Sequence, residues 1–496
     1  MKKEFILSID QGTTNTKGLI VDINGSVKAQ SSYPVSIKYP KPGWAEQDPI
    51  EMWESTQKVI EGCLSQTDGS NILAIAITNQ RESILLWDRK TGKPVGPCLL
   101  WGDTRTGEFL NELKAQGLES IIKNNTGLML NTLFSASKAR WLIKNAYNGC
   151  KRARCGELCL GTVDSWILWN LTGGKVHASD VSNSSRTQLF NINNLKWDDG
   201  MLKIFEIPSA VLPEVNQSNA IHGITVQSGR LPKNIQVACL VGDSHASLFG
   251  HNIFEPGYVK TTHGTASSLI TPIKKVIISD IGVTTTVAWM INNQVLYAME
   301  GVLPTTGSAA QWICNILELG KLSDLEKLAA SVPDTEGVYI VPAFSGLGAP
   351  YWDYSATGLI SGLTGSTQRA QLARAAEESI AYQVRDLWEA LKKETGTDFK
   401  ALLADGGPTK DNFLMQFQAD IIGNTVYRNT SPDLSAMGAA YMAGLGIGFW
   451  SSLEEIKGLA STLDSFEPEY SFEKRELLYK GWKNAVERSR LNLNRA

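Results

Sequence analysis

The sequence predicts an α/β protein of two similar halves, each a mixed sheet flanked by helices, with a ligand cleft between them. Three observations carry that expectation. The chain has 496 residues, 43% of them hydrophobic, which is more than one ordinary core organises and enough for two. Strand-like runs alternate with helical ones, the pattern of largely parallel sheets. Residues 258–270 repeat the design of residues 5–21, an apolar run, a Gly-Thr turn and a second apolar run, which indicates one duplicated α/β unit.

Three runs end in acidic and small residues, as strands do where they reach a cleft. Residues 5–10 close on Asp10 and lead into Gln11-Gly12-Thr13-Thr14-Asn15; residues 237–243 close on Asp243 before Ser244-His245-Ala246; residues 402–405 close on Asp405 before Gly406-Gly407. The Gly-Thr turns predict an antiparallel hairpin at the start of each half. Asp48-Pro49-Ile50-Glu51 combines an N-cap, a proline at the first helical position and a capping glutamate, so a helix runs from residue 49 toward 64. A long helix starts near Ser366, with Leu372, Ala376, Ile380, Val384, Leu387 and Leu391 on one face. A third follows Thr409 and carries Phe413, Leu414 and Phe417. Its start beside Gly406-Gly407 is a place for an anion. The halves are divided at Asp243, where the repeat begins again, into residues 1–243 and 244–496.

Composition excludes several classes. With 47 Lys+Arg against 50 Asp+Glu, the net charge is -3, and without a long basic run the chain lacks a nucleic-acid footprint. No stretch approaches the roughly 20 apolar residues of a membrane helix. The opening apolar run is too short for a signal-peptide core and ends in an aspartate. Seven scattered cysteines fit reduced thiols rather than a disulfide framework, and a cytoplasmic location with no structural metal is expected.

The chemistry lies in the turns. Neither a Gly-x-x-x-x-Gly-Lys-Ser/Thr loop nor a Gly-x-Gly-x-x-Gly helix start occurs, so phosphate is bound in some other way. The run Asp10 to Lys17 offers backbone amides freed by Gly12, the hydroxyls of Thr13 and Thr14, Asn15, the Lys17 amine and a carboxylate suited to Mg²⁺. Alone it is equally an ordinary hairpin turn. The Gly264-Thr265 and Gly406-Gly407 turns add donors from the other half, which points to a nucleotide between the halves.

These motifs resemble the FGGY carbohydrate kinases of the actin-like, ribonuclease-H-like ATPase superfamily, and the glycerol kinases among them most. The resemblance covers nearly the whole chain. Besides the first loop it includes Pro42-Gly43-Trp44-Ala45-Glu46-Gln47-Asp48-Pro49, Asn79-Gln80-Arg81-Glu82, Ser135-Ala136-Ser137-Lys138-Ala139-Arg140-Trp141, Gly161-Thr162-Val163-Asp164-Ser165-Trp166, Gly346-Leu347-Gly348-Ala349-Pro350-Tyr351-Trp352-Asp353 and Asp405-Gly406-Gly407. It implies two ribonuclease-H-like domains and transfer of the γ-phosphate of ATP, with Mg²⁺, to a hydroxyl of a polyol or sugar. Asp243 would be the general base, and Asp10, with Asp243, the carboxylate that holds Mg²⁺ through water. Thr13, Thr14, Asn15, Lys17, Gly264 and Thr265 would line the phosphates. Gly307, Gln311, Gly407 and Asp411 would reach the nucleoside, although glycerol kinases usually carry an asparagine where Asp411 stands. Arg81 and Glu82, a donor and an acceptor side by side, suit a vicinal diol, with a surface ion pair as the competing reading. Trp101 would wall the acceptor pocket, or else be a core tryptophan. The resemblance leaves a homodimer open.

Several positions depart from the glycerol kinases. Leu133 replaces a tyrosine, Ser268 a phenylalanine and Asp103 a cysteine, and Ser244-His245 follow the base in place of glutamines. Asp103 and Ser244 are expected at the acceptor, and the changes together favour one longer or more hydroxylated than glycerol. The alternatives are a glycerol kinase with an altered pocket and an actin-like ATPase switch without an acceptor. Against the switch stands the acceptor run 79–82 together with Asp243.

Overall fold

The computed structural model describes residues 4–491 except 345, 432 and 460–462; the opening Met1-Lys2-Lys3 lies outside them. Six strands form the first sheet: β1 (Phe5–Gln11), β2 (Asn15–Val21), β3 (Val27–Pro34), β4 (Ile72–Asn79), β5 (Gly223–Ile224) and β6 (Gln236–Gly242), in the order β5-β6-β4-β1-β2-β3. Seven form the second: β7 (Tyr258–His263), β8 (Ser267–Ile273), β9 (Thr284–Ile291), β10 (Gln294–Leu303), β11 (Ala401–Gly406), β12 (Thr425–Asn429) and β13 (Leu463–Phe466), in the order β9-β10-β8-β7-β11-β12-β13.

The duplication read from the two Gly-Thr turns extends through both sheets. β1 is antiparallel to β2 and parallel to β4, as β7 is antiparallel to β8 and parallel to β11. Outward from there, β3, β6 and β5 answer β10, β12 and β13 in the same senses. The second sheet adds β9 at its edge. β4 is apolar and buried along nearly its whole length, as a strand covered on both faces must be.

Helix α1 (Pro49–Leu64) forms as its capping signals require, with Asp48 Oδ1 accepting from the Ile50 N–H at 2.9 Å. Helix α2 (Asp243–Gly250) follows β6 directly, so Asp243 opens a helix instead of ending a strand. Helix α3 (Gly307–Ile316) follows β10. The long helix α4 (Arg369–Thr395) starts three residues beyond Ser366, where Gln368 and Gln371 cap each other. Helix α5 (Asn412–Ile422) starts later than the sequence suggests, because Gly407–Lys410 makes a 3₁₀ turn and Asp411 becomes the N-cap, its Oδ1 2.9 Å from the Leu414 nitrogen. Helix α6 (Leu434–Gly446) is apolar nearly all round and buried.

α2 and α6 cross between the sheets at backbone contact. A Cβ on Gly438 would stand 1.8 Å from the Ala246 carbonyl oxygen, and one on Gly250 would stand 2.5 Å from that of Leu434. Only glycine admits so close an approach. One apolar cluster therefore runs from Ile6, Leu19 and Val241 of the first sheet, through Phe249, Met437 and Ala440, to Ile270 and Leu403 of the second. Among the described residues no helix is long and apolar enough to cross a membrane.

Candidate active site

The first hairpin meets the starts of α2 and α6, and the second meets the start of α3. On the first side, the Gly12 N–H donates to the Asn15 carbonyl at 3.0 Å and closes the turn that presents Thr13 and Thr14. Thr14 is exposed and Asn15 half-buried, with Asn15 Nδ2 donating to Thr14 Oγ1 at 3.2 Å. Thr13 is held from three directions: its carbonyl accepts from Gln47 Nε2 at 2.6 Å, its hydroxyl accepts from Trp101 Nε1 at 3.0 Å, and that hydroxyl donates to Gln80 Oε1 at 3.3 Å. Lys17 pairs with Asp433 at the N-cap of α6.

On the second side, the Gly264 N–H bonds the Ala266 carbonyl, and the N–H groups of Gly307 and Ser308 bond the carbonyls of Gly264 and Thr265, all at 3.0–3.1 Å. The start of α3 thus abuts the second turn. A Cβ on Gly307 would meet the Gly264 oxygen at 2.3 Å and Pro408 Cγ at 3.6 Å, so Gly264, Thr265, Gly307 and the Gly407-Pro408 turn are brought together. Gln311 lies one turn along α3, exposed, its amide donating to Asn315 Oδ1 at 3.0 Å. The Asp411 carboxyl is pushed up to about 6 by burial and the charge of Glu326, against the Leu414 N–H that it caps.

At the centre stand Asp10 at the end of β1 and Asp243 at the start of α2, each with its carboxyl raised above the ordinary range. Asp10 Oδ1 is buried and lacks a hydrogen-bond partner. Burial first, then the charge of Asp243, pushes its carboxyl up to about 8, with Lys17 opposing. Asp243, its side chain 34% exposed, accepts from the Ser244 N–H at 2.6 Å and is also raised, by burial and then Glu82 against the pull of Arg81. Ser244 is half-buried beside it. A partnerless carboxylate oxygen with a second carboxylate near enough to raise it suits a cation. Among the described residues no three His, Cys, Asp or Glu side chains form a ligand cluster, and Mg²⁺, bound by one or two carboxylates with water and phosphate oxygens completing its shell, needs none.

Next to Asp243, the structure differs from the surface ion pair that is the competing reading of Arg81 and Glu82. Arg81 and Glu82 are 7% and 5% exposed and each is engaged. Arg81 Nη1 and Nη2 donate to the two oxygens of Glu300 at 2.8 and 2.5 Å, while its Nε stands 3.4 Å from Asp243 Oδ1. Glu82, a non-glycine residue at φ 61°, points its carboxylate at Arg186 Nε, and Arg186 Nη1 is 3.0 Å from Glu300. Glu300 and Arg186 were missed from sequence; the signal was a lone acid inside the apolar run 295–303.

Trp101 is half-buried and joins the two ends, its indole N–H on Thr13 and its backbone N–H on Ser83 Oγ at 3.1 Å. Asp103 has another task than acceptor contact. It has no exposed surface, and its oxygens accept from the Ala45 N–H at 2.7 Å and from Arg105 Nε and Nη2 at 2.8–3.0 Å. The Arg105 guanidinium in turn lies 3.7 and 4.6 Å from the ring centres of Trp44 and Trp141. His245 is buried with both ring nitrogens partnerless, kept neutral by burial and by the Arg81 charge. Leu133 and Ser268 are half-buried.

The N-terminal domain of the FGGY family of carbohydrate kinases matches residues 5–250 of this chain, and the C-terminal domain matches residues 259–447. A glycerol kinase of Aquifex aeolicus is 48% identical over 98% of this chain and 98% of its own, and glycerol kinase 2 of Thermotoga maritima is 44% identical over 98% and 99%. The crystal structure of Plasmodium falciparum glycerol kinase with ADP superposes with a TM-score of 0.93 at 35% identity, covering 99% of both chains. A ligand-bound xylulose kinase of Lactobacillus acidophilus shares the fold, with a TM-score of 0.86 at 23% identity over 97% and 98%. The duplicated sheets thus have their counterpart in known proteins along nearly the whole length, and the chain belongs to the FGGY family of carbohydrate kinases.

Proposed function

We propose that the protein transfers the γ-phosphoryl group of ATP to a hydroxyl of a polyol or sugar, with Asp243 as the general base. The observation that supports it most is the place of Asp243: a part-exposed carboxylate set between Arg81 on one side and Asp10 on the other. Loose phosphoryl transfer asks mainly for positioning and charge neutralisation, with a carboxylate to orient the nucleophile. Asp243 takes the proton of the attacking hydroxyl. Residues 1–243 supply the acceptor contacts Arg81, Glu82 and Trp101 and the phosphate contacts Thr13, Thr14, Asn15 and Lys17. Residues 244–496 supply Ser244 for the acceptor, Gly264 and Thr265 for the phosphates, and Gly307, Gln311, Gly407 and Asp411 for the nucleoside. Asp10 and Asp243 would hold Mg²⁺, whose charge neutralises the phosphate oxygens. Arg81 and Asp243 orient the acceptor oxygen in line.

The acceptor we favour is longer or more hydroxylated than glycerol, because Leu133 and Ser268 replace bulkier groups and His245, near Arg81, keeps both ring nitrogens unpartnered. Glycerol itself is the second reading, favoured by the 48% identity to the Aquifex glycerol kinase. Use of ATP fits a cytoplasmic enzyme, and a homodimer is checked by light scattering. A coupled ADP-release assay with Mg-ATP against polyols, ketoses, aldoses, sugar acids and glycerol, beside Asp243→Ala, tests the function. Acceptor-dependent turnover lost in the variant supports it, and acceptor-independent hydrolysis refutes it.

A further inference from the structure

Four charged side chains lie buried below the acceptor end of the cleft, and they come from both halves. Arg81, Glu82 and Arg186 belong to the first half; Glu300, with no exposed side-chain surface, comes from β10 of the second. Their charges cancel, two against two. Within the group Glu300 has the central place. Its carboxylate accepts both terminal nitrogens of Arg81 and lies 3.0 Å from Arg186 Nη1, while its backbone carbonyl accepts from Thr284 Oγ1 at 3.1 Å. A bidentate arginine–carboxylate pair fixes orientation as well as position.

That pairing decides which face of Arg81 meets Asp243. The Nε–H has no hydrogen-bond partner and stands 3.4 Å from Asp243 Oδ1, longer than a normal N–H···O bond. The other acids near the guanidinium are Glu82 and Asp243, and Glu82 already serves Arg186. Without Glu300, both terminal nitrogens of Arg81 would be free, and Asp243 would be the nearest carboxylate left to take them.

We propose that Glu300 is a positioning residue of the acceptor site: it holds the fork of Arg81 away from Asp243, so that only the Nε–H faces the space where the acceptor hydroxyl must sit. An oxygen there accepts from Nε and donates to Asp243. Glu300 touches neither substrate and acts through Arg81. This rests on the reading of Arg81 and Asp243 as acceptor contacts.

The test is steady-state kinetics of Glu300→Gln and Glu300→Asp with the best acceptor of the panel. Glu300→Gln removes the charge. Glu300→Asp keeps it but draws the carboxylate back by about one bond length, a misplacement that costs on the order of 10²-fold in rate at a reacting centre. The expected result is a fall of about 10²-fold in kcat/KM for the acceptor, with KM for ATP within about threefold of the parent. In an Arg81→Lys background, Glu300→Gln should change kcat/KM by less than about threefold, since its effect travels through Arg81. Should Glu300→Gln not fold, Glu300→Asp carries the test alone.

Parental acceptor kinetics in Glu300→Asp, a parallel loss for ATP and acceptor, or full additivity with Arg81→Lys would each overturn the inference. If the parent itself shows no acceptor-dependent turnover, the kinase reading falls and this inference with it. If the parent is active and the Glu300 variants match it, the inference alone falls.

Discussion

Substitution of Gly438 by alanine tests how Asp243, the proposed general base, is placed. The new Cβ would stand 1.8 Å from the Ala246 oxygen and 2.8 Å from the Gly250 nitrogen, both backbone atoms of α2. Since backbone cannot rotate away as a side chain can, α2 and α6 must part by about 1.2 Å to restore a 3.0 Å contact. Overpacking of this kind costs about 1–3 kcal/mol, offset by up to about 1 kcal/mol from the better helix propensity of alanine. The larger consequence is catalytic. Asp243 opens the helix that moves, and a misplacement of about 1 Å costs on the order of 10²-fold. The assay is kcat for the preferred acceptor, read beside urea unfolding, with Gly107→Ala as a control because no atom lies within 4 Å of the added methyl. Gly438→Ala with parental kcat would show that the contact between α2 and α6 does not set the position of Asp243.

Other outcomes follow from the charges. With the Asp10 carboxyl pushed up to about 8 by burial and Asp243, a cation would displace a proton there at pH 7; Mg²⁺ binding should release up to one proton, and its affinity should rise with pH until about 8 and then level, as calorimetry in buffers of different ionisation enthalpy would show. Asp164 is buried with Thr162 and Ser179 hydroxyls donating to it, and burial followed by the Asp180 charge pushes it up to about 7. Its folded pKa is raised, so the stability it contributes is full below the unfolded value near 4 and is lost as pH rises through 7; Asp164→Asn should gain on the parent by a few kcal/mol between pH 4 and 8 in urea titrations. Asp103→Asn should lower stability by about 3 kcal/mol, because buried Arg105 keeps only Glu46, while acceptor KM stays near parental; a large KM effect in a fully stable variant would restore Asp103 to the acceptor site.

Much of this was legible in the sequence where the signal was local. The hairpin turns, the Asp48 cap and the face of α4 each lie within a few residues, and the second Gly-Thr turn betrayed the duplication. Where contacts are distant the sequence was silent: Glu300 meets Arg81 across 219 positions and Glu82 meets Arg186 across 104. Asp103 misled for the opposite reason. Its partner Arg105 is two residues away, and a pattern of residue types does not say that the arginine folds back on the aspartate between two tryptophan rings.

The repeated sheets also carry a broken symmetry. In the first copy Asp10 on the hairpin strand stands beside Thr78 on its neighbour; in the second, Thr262 on the hairpin strand stands beside Asp405. The acid and the hydroxyl have changed places. Asp405 is claimed by Ser247, His251 and Lys260, which hold its carboxyl below the usual range although burial alone would raise it, whereas Asp10 keeps an oxygen to spare. Two mirrored hairpins would grip a phosphate chain equally from either end. Under the proposed kinase reading, an acid left unpaired on one copy only would let the chain lie between the halves one way round, with its terminal group toward Asp243.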